Sequence, residues 1–252
     1  MLTKKEKIEF TIDLKSIKER FNLEVEYLSK FIDLSEESSK SIQKTLSDET
    51  YEKTIESPDD ESFLQDLFEN EYRIINSYQY HSQLVLIYGV FESTLTHLCN
   101  EIFKKIEPKL SLDMIKGNNI FTTCIDYLHL MCDFNISSIE KYKPKLNNYR
   151  LVRNYIAHQN SRFIGFNEKD IEKDKNKFIK LLDLLNKTSF DVDNNCFYIV
   201  DNISSKDLIK IISDVMLNII SEIESKTFLV IKKHFAKIND LNSLKKEEII
   251  QF

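Results

Sequence analysis

The chain has 252 residues, enough for one large domain that buries its own core without staples. Three glycines and three prolines speak against a Gly-rich dinucleotide fold, a Pro-rich linker and an all-β sandwich. A formal charge of −6 speaks against a general nucleic-acid binder, and 42% hydrophobic against 30% charged residues is too apolar for disorder, which leaves an α-helical protein.

The opening MLTKKEKIEF has lysines but no apolar run behind them, so no secretory signal is expected and the default compartment is the cytoplasm. No stretch approaches the roughly 18 apolar residues of a membrane span, so no membrane partner is expected. From Phe10 the residues Phe10, Leu14, Ile17, Phe21, Val25, Leu28 and Ile32 step by three or four, the spacing of one buried helical stripe. This predicts a long helix to about Leu46, packed on another helix of this chain or, alternatively, on a partner chain. Ser57-Pro58-Asp59-Asp60-Glu61 reads as the start of a second long helix, with Ser57 as its cap, running to near Pro108. Its second half, Leu84 to Leu95, is apolar enough to lie centrally.

Leu112 to Asp133 predicts one or two shorter helices around the Gly117-Asn118-Asn119 turn. Pro144 opens a helix to about His158, Gly165 marks the loop after it, and Ile171, Phe178, Leu181, Leu182 and Leu185 mark the next helix. Phe190-Asp191-Val192 and Cys196 to Val200 flank a turn and form the one strand candidate, a short β-hairpin. Ser204 or Ser205 caps a last long helix through Leu208, Val215 and Leu229, and a charged tail follows Ala236. The expected organisation is an N-terminal helical extension at 1–57, a helical domain at 58–236 and a charged tail at 237–252.

Cys99, Cys124, Cys132 and Cys196 form no CxxC pair and read as small core residues. His129 with Cys132, three apart, is the sharpest metal alternative, but it lacks a second ligand pair, so neither metal nor cofactor is expected. His81, His97, His129 and His234 are isolated and read as packed or surface residues.

The chemistry concentrates between Lys141 and Asn167, where Lys141, Lys143, Lys145, Arg150, Arg153 and Arg162 occur without any acid. That window carries +6, so the rest of this acidic chain sums to −12. A solvated helix face is the bland reading and an anion-binding surface the functional one. With Arg153 at 0° on a helix, Arg150 falls near about 60°, Ser161 near about 80°, Asn154 near about 100° and His158 near about 140°, while Tyr149, Val152, Tyr155 and Ile156 share the opposite face. Asn154 and His158 are i, i+4 neighbours, and the histidine sits among cations with no acid beside it.

Arg153-Asn154-Tyr155-Ile156-Ala157-His158 resembles the R-N-x-x-x-H form of the Rx4-6H motif of HEPN (higher eukaryotes and prokaryotes nucleotide-binding) domains. The resemblance spans roughly Asp66 to His234, with Leu84 to Ile102 and Leu208 to Leu229 similar to an earlier and the closing core helix; the N-terminal helix has no counterpart. It implies an all-α, HEPN-like helical bundle and a metal-independent endoribonuclease acting as a homodimer. The implied setting is a toxin or antiviral abortive-infection effector that cuts tRNA or other RNA, with an antitoxin or defence-system partner. The alternative is a catalytically inactive nucleotide- or RNA-binding module of a defence complex; an accidental motif on a helical scaffold is the third reading. Family toxins adenylylated by a nucleotidyltransferase antitoxin carry Tyr two residues after the His, where this chain has Asn160.

The candidate catalytic residues are therefore Arg153, His158 and Asn154, with Arg150, Lys145, Lys143, Lys141 and Arg162 as RNA contacts and Ser161 in support. Glu92, amid apolar neighbours, is either a buried acid reaching Arg153 or Arg150 or an exposed helix position. RNA cleavage by its own 2′-OH needs a base, an acid and cations around the phosphorane, which histidine and arginine supply without a metal. One histidine per chain supplies one proton role, and a symmetric dimer supplies both.

Overall fold

The computed structural model describes residues 4–106, 111–115 and 117–224, with side chains from residue 14 onward and, in the second helix, up to residue 104. The fold is all-α with one short β-hairpin, as the sequence predicts. Six helices are described: α1 (Lys4–Glu56), α2 (Glu61–Ile106), α3 (Ile120–Cys132), α4 (Lys143–Gln159), α5 (Glu168–Leu181) and α6 (203–224). The hairpin pairs β1 (Phe190–Val192) with β2 (Phe197–Ile199) in antiparallel register, Asp191 opposite Tyr198. Chain breakers mark the boundaries. Pro144 occupies the first turn of α4, where its missing N–H costs nothing, and Pro58 separates α1 from α2.

Three boundaries differ from the sequence reading. Helix α1 runs past Leu46 to Glu56, because nothing in that stretch breaks it before Ser57, whose conformation the following proline restricts. Ser57 does not cap α2: its N–H donates to the Lys53 carbonyl at 2.9 Å, closing α1, and a 3-10 turn at Pro58–Asp60 intervenes. Ser204 and Ser205 are buried inside α6 rather than capping it. The Asp201 carboxylate accepts the Ile203 N–H at 2.9 Å, so the helix starts earlier and an acid caps it. Leu229 and the tail after Ala236 lie outside the described residues.

The chain divides into two compact units. The first takes α1 up to Leu23, Phe91–Lys141 and α6 from Asp214. Leu14, Ile17 and Phe21 are buried there, with Phe91, Leu95, Leu98 and Ile102 of α2 and Val215, Ile219 and Ile223 of α6. Phe91 and Phe121 lie ring to ring at 5.7 Å. Asn119 caps α3 by accepting the Thr122 N–H at 3.0 Å, and Asp133 ends it in the left-handed region. Cys99, Cys124 and Cys132 are buried, and burial pushes the Cys132 thiol up to about 12. The His129 Nδ1 donates to the Phe134 carbonyl at 2.8 Å.

The second unit holds Glu24–Val90 and Tyr142–Ser213, and with them the whole of α4, α5 and the hairpin. Leu28 and Ile32 carry the buried stripe of α1 into it, and Ser39 donates to Asn76 of α2 at 2.5 Å. Its centre is aromatic. Phe178 of α5 stacks on Phe197 of β2 at 4.1 Å, and Tyr155, Phe163 and Phe190 surround that pair at 5.2–6.3 Å from one or the other ring. The chain after α4 also joins the hairpin: Arg162 bridges Cys196, and the Phe163 N–H reaches the Asn195 carbonyl at 2.8 Å.

Because Phe178 is fully buried in that stack, Phe178→Ala is expected to lower the unfolding free energy by about 3–5 kcal/mol, a range set by lost burial plus the cavity left behind. Urea unfolding checks it, and a loss under about 1 kcal/mol would mean that the stack does not hold the unit together.

Candidate active site

Helix α4 buries Leu146, Asn148, Tyr149 and Val152, half-buries Tyr155 and Ile156, and leaves Ala157 and His158 exposed. Each inward side chain is tied down. The Tyr149 hydroxyl donates to Asp207 at 2.6 Å, the Tyr155 hydroxyl to Asp174 at 2.7 Å, and the Asn148 amide to the Leu181 carbonyl at 2.6 Å. Desolvation and these carboxylates push both tyrosine hydroxyls well above their ordinary range, so they stay protonated donors. With one face held this way, helical geometry sends the polar stripe the other way.

Arg153, seven residues after buried Leu146, is half-buried at the edge of the inward face, its guanidinium over the ring of buried Tyr88, 5.3 Å from its centroid, a cation–π arrangement that positions the charge. Arg150 holds Asn147 through Nε and Nη2 at 3.3 and 3.0 Å. Asn154 is half-buried, and His158 stands exposed in the last turn. The helix stops at Asn160, in the left-handed region at φ 49°, with the Ser161 N–H reaching back to the Tyr155 carbonyl at 3.0 Å. Asparagine tolerates that conformation at little cost, whereas a bulky tyrosine there is an outlier.

The basic window is not a bare run of positive charge. Lys145 pairs with Asp207 at 2.8 Å, and Asp174 accepts the Ile164 N–H at 3.0 Å as well as the Tyr155 hydroxyl. Folding thus brings two acids from distant sequence against a stretch that contains none. Arg162 is exposed, Lys143 half-buried and Lys141 exposed, the last belonging to the first unit. Glu92 is buried at 9% exposure and also belongs to the first unit, whereas Arg150 and Arg153 belong to the second.

Ser161 is buried rather than presented to a ligand. Its hydroxyl lies 3.1 Å from His81 Nε2, and the Ser77 hydroxyl lies 3.0 Å from the same nitrogen while accepting the Ile199 N–H at 3.0 Å. His81 is therefore a packed histidine that ties α2, the end of α4 and β2 together, with burial driving its pKa down to about 4. Nothing in the sequence pairs Ser161 with His81; only the i, i+4 spacing of Ser77 and His81 was visible.

Among the described residues no group of three or more His, Cys, Asp or Glu is arranged to hold a metal ion, and no helix is long and apolar enough to cross a membrane. Comparison with models of protein families, with curated proteins and with solved structures finds no match.

The buried histidine generates a pH dependence of known sign. An unfolded chain binds the His81 proton below an ordinary value of 6.5 and the folded chain only below about 4, so between these the unfolded state holds more protons and stability falls as the pH is lowered. The interval amounts to about 3 kcal/mol. His81→Gln, which keeps a donor and an acceptor, is expected to remove most of that decline between pH 6.5 and 4 in chemical unfolding; an unchanged decline would place its source elsewhere.

Proposed function

We propose that this chain is an endoribonuclease that cuts RNA by attack of the 2′-OH on the adjacent phosphorus, with Arg153, His158 and Asn154 carrying the reaction. The observation that carries the reading is the polar face of α4, where a ring-seated arginine and an exposed histidine stand five residues apart on a helix whose other face is locked into the core. In the step itself a base removes the 2′-hydroxyl proton, the O2′–P bond forms, the P–O5′ bond breaks, and an acid protonates the departing O5′. The products are a 2′,3′-cyclic phosphate and a 5′-hydroxyl. Arginine stabilises the charge that grows on the phosphorane oxygens, and histidine takes either proton role near neutral pH, so the chain's own residues meet the needs of this step without a metal. Arg150, Lys143 and Arg162 serve as phosphate contacts. Lys145 does the same to the extent that Asp207 leaves it available.

The second proton role comes from a second copy. Two-fold apposition of α4 helices brings another His158 to the cleft, and bound RNA offsets the repulsion between the two basic faces. The resemblance to toxins and abortive-infection effectors suggests a cellular or phage RNA, tRNA among them, as the target.

Arg153→Ala and His158→Ala are each expected to lower the cleavage rate of purified protein on total RNA by about two to four orders of magnitude, with the circular dichroism spectrum unchanged. Full turnover in His158→Ala would remove the catalytic assignment, and retained RNA binding with no turnover in the wild type would favour the binding-module reading. Mixing the two inactive variants tests the shared cleft. If the roles are split between protomers, mixed dimers regain part of the activity, whereas a monomer cleaving at full rate contradicts the dimer.

A further inference from the structure

The loop that follows α4 exposes apolar side chains on a backbone that is held rigidly. Phe166 is fully exposed, at 104%, and Ile164 is exposed at 59%. Neither contributes to the core. The loop around them is nevertheless fixed at four points: buried Phe163 is bonded to Asn195, the Ile164 N–H donates to Asp174, Asn167 caps α5 by accepting the Asp170 N–H at 3.1 Å, and Gly165 lies against the first turn of α5. A Cβ on Gly165 would stand 2.5 Å from the Ile171 nitrogen, so only glycine permits this approach. The ring of Phe166 is therefore presented from a set backbone rather than from a wandering tip, which lowers the ordering cost of any ligand that lands on it.

Between this loop and α5 lies a cavity of about 360 Å3, within the range of small-ligand sites. Its charged lining is two aspartates and two lysines. Asp174 is turned to the Tyr155 hydroxyl and the Ile164 N–H, and Asp170 accepts the Asn167 amide at 3.0 Å. Lys173 and Lys177, one helical turn apart, are exposed, and among the described residues they make no ion pair. Arg162 and Lys169 are exposed on either side in sequence. A planar apolar ring flanked by free cations fits a base with its attached phosphate. It suits a protein partner less well, because such interfaces centre on a broad apolar patch and are poor in lysine.

We infer that Phe166 is a stacking platform for an unpaired base of single-stranded RNA, with Lys173 and Lys177 holding the neighbouring phosphates. The choice of RNA as the polyanion rests on the ribonuclease reading. The loop follows in sequence the helix that carries Arg153 and His158, and Asp174 ties it to the Tyr155 side of that helix. A base seated there restricts binding to unpaired RNA, since a duplex keeps its bases stacked on one another.

The chain contains no tryptophan, so Phe166→Trp installs a single indole on an exposed position that the fold does not use. The experiment titrates the full chain carrying His158→Ala and Phe166→Trp with a short single-stranded RNA, its hairpin counterpart and AMP, reading indole fluorescence alongside anisotropy of labelled RNA. Saturable quenching by the single strand, with little by the stem or by AMP, is the expected result. In the His158→Ala background, Phe166→Ala is expected to weaken single-strand binding about tenfold while stem binding changes less than twofold. Bound RNA with unchanged indole fluorescence, equal quenching by AMP, absence of RNA binding, or affinity unaffected by Phe166→Ala would each overturn the inference. Quenching in a protein that never cleaves RNA supports the platform and sinks the nuclease, whereas cleavage without quenching does the reverse.

Discussion

The burial of one face of α4 is the constraint on which the candidate site depends. Tyr149, Val152 and Tyr155 turn inward, and the two tyrosine hydroxyls are anchored by Asp207 and Asp174, so the helix cannot roll without breaking both hydrogen bonds. Arg150, Arg153 and Asn154 then follow half-buried, and His158 exposed, on a helix with about 3.6 residues per turn. The Phe178–Phe197 stack sets the other wall, because Tyr155 packs edge-on to both rings. Side chains outside the candidate site thus set the orientation of the helix that carries it.

The same anchoring extends past the end of the helix. The left-handed stop at Asn160 and Ser161 reverses the chain, the Arg162–Cys196 bridge sews it to the hairpin, and Asp174 holds both Tyr155 and the Ile164 N–H. One carboxylate therefore couples the buried face of α4 to the loop that exposes Phe166. Placing Ser161 beside His81 uses a polar trio to join α2, the end of α4 and β2.

Periodicity made the helices legible, because an apolar residue every three or four positions has few solutions other than a buried stripe; Leu14, Ile17, Phe21, Leu28 and Ile32 are buried as their spacing predicts, Val25 is half-buried, and the Phe10 side chain lies outside the described residues. The hairpin was legible for a related reason, as the sole alternating segment in a chain with few turn residues. Helix ends were harder. Ser57 and Ser204 have the right chemistry for caps, yet Ser57 closes α1, and Asp201 reaches the first free N–H of α6 before Ser204 is needed. The stripe of α4 was readable from spacing, but its electrostatics were not: Asp207 lies 62 positions from Lys145, and only folding brings them to 2.8 Å. The loop was marked in sequence by Gly165, but the exposure of Phe166 depends on tertiary packing that no local pattern encodes.

The central claim is that α4 cuts RNA through the substrate's own 2′-hydroxyl. The most direct test gives the purified chain, in EDTA, a labelled RNA whose cleavage position is known, beside the same RNA with a single 2′-deoxy nucleotide just 5′ of that position. The account predicts cleavage of the first to a 2′,3′-cyclic phosphate and a 5′-hydroxyl, and none at the substituted position of the second. Cleavage that persists at the 2′-deoxy nucleotide, or that yields a 5′-phosphate, would contradict it.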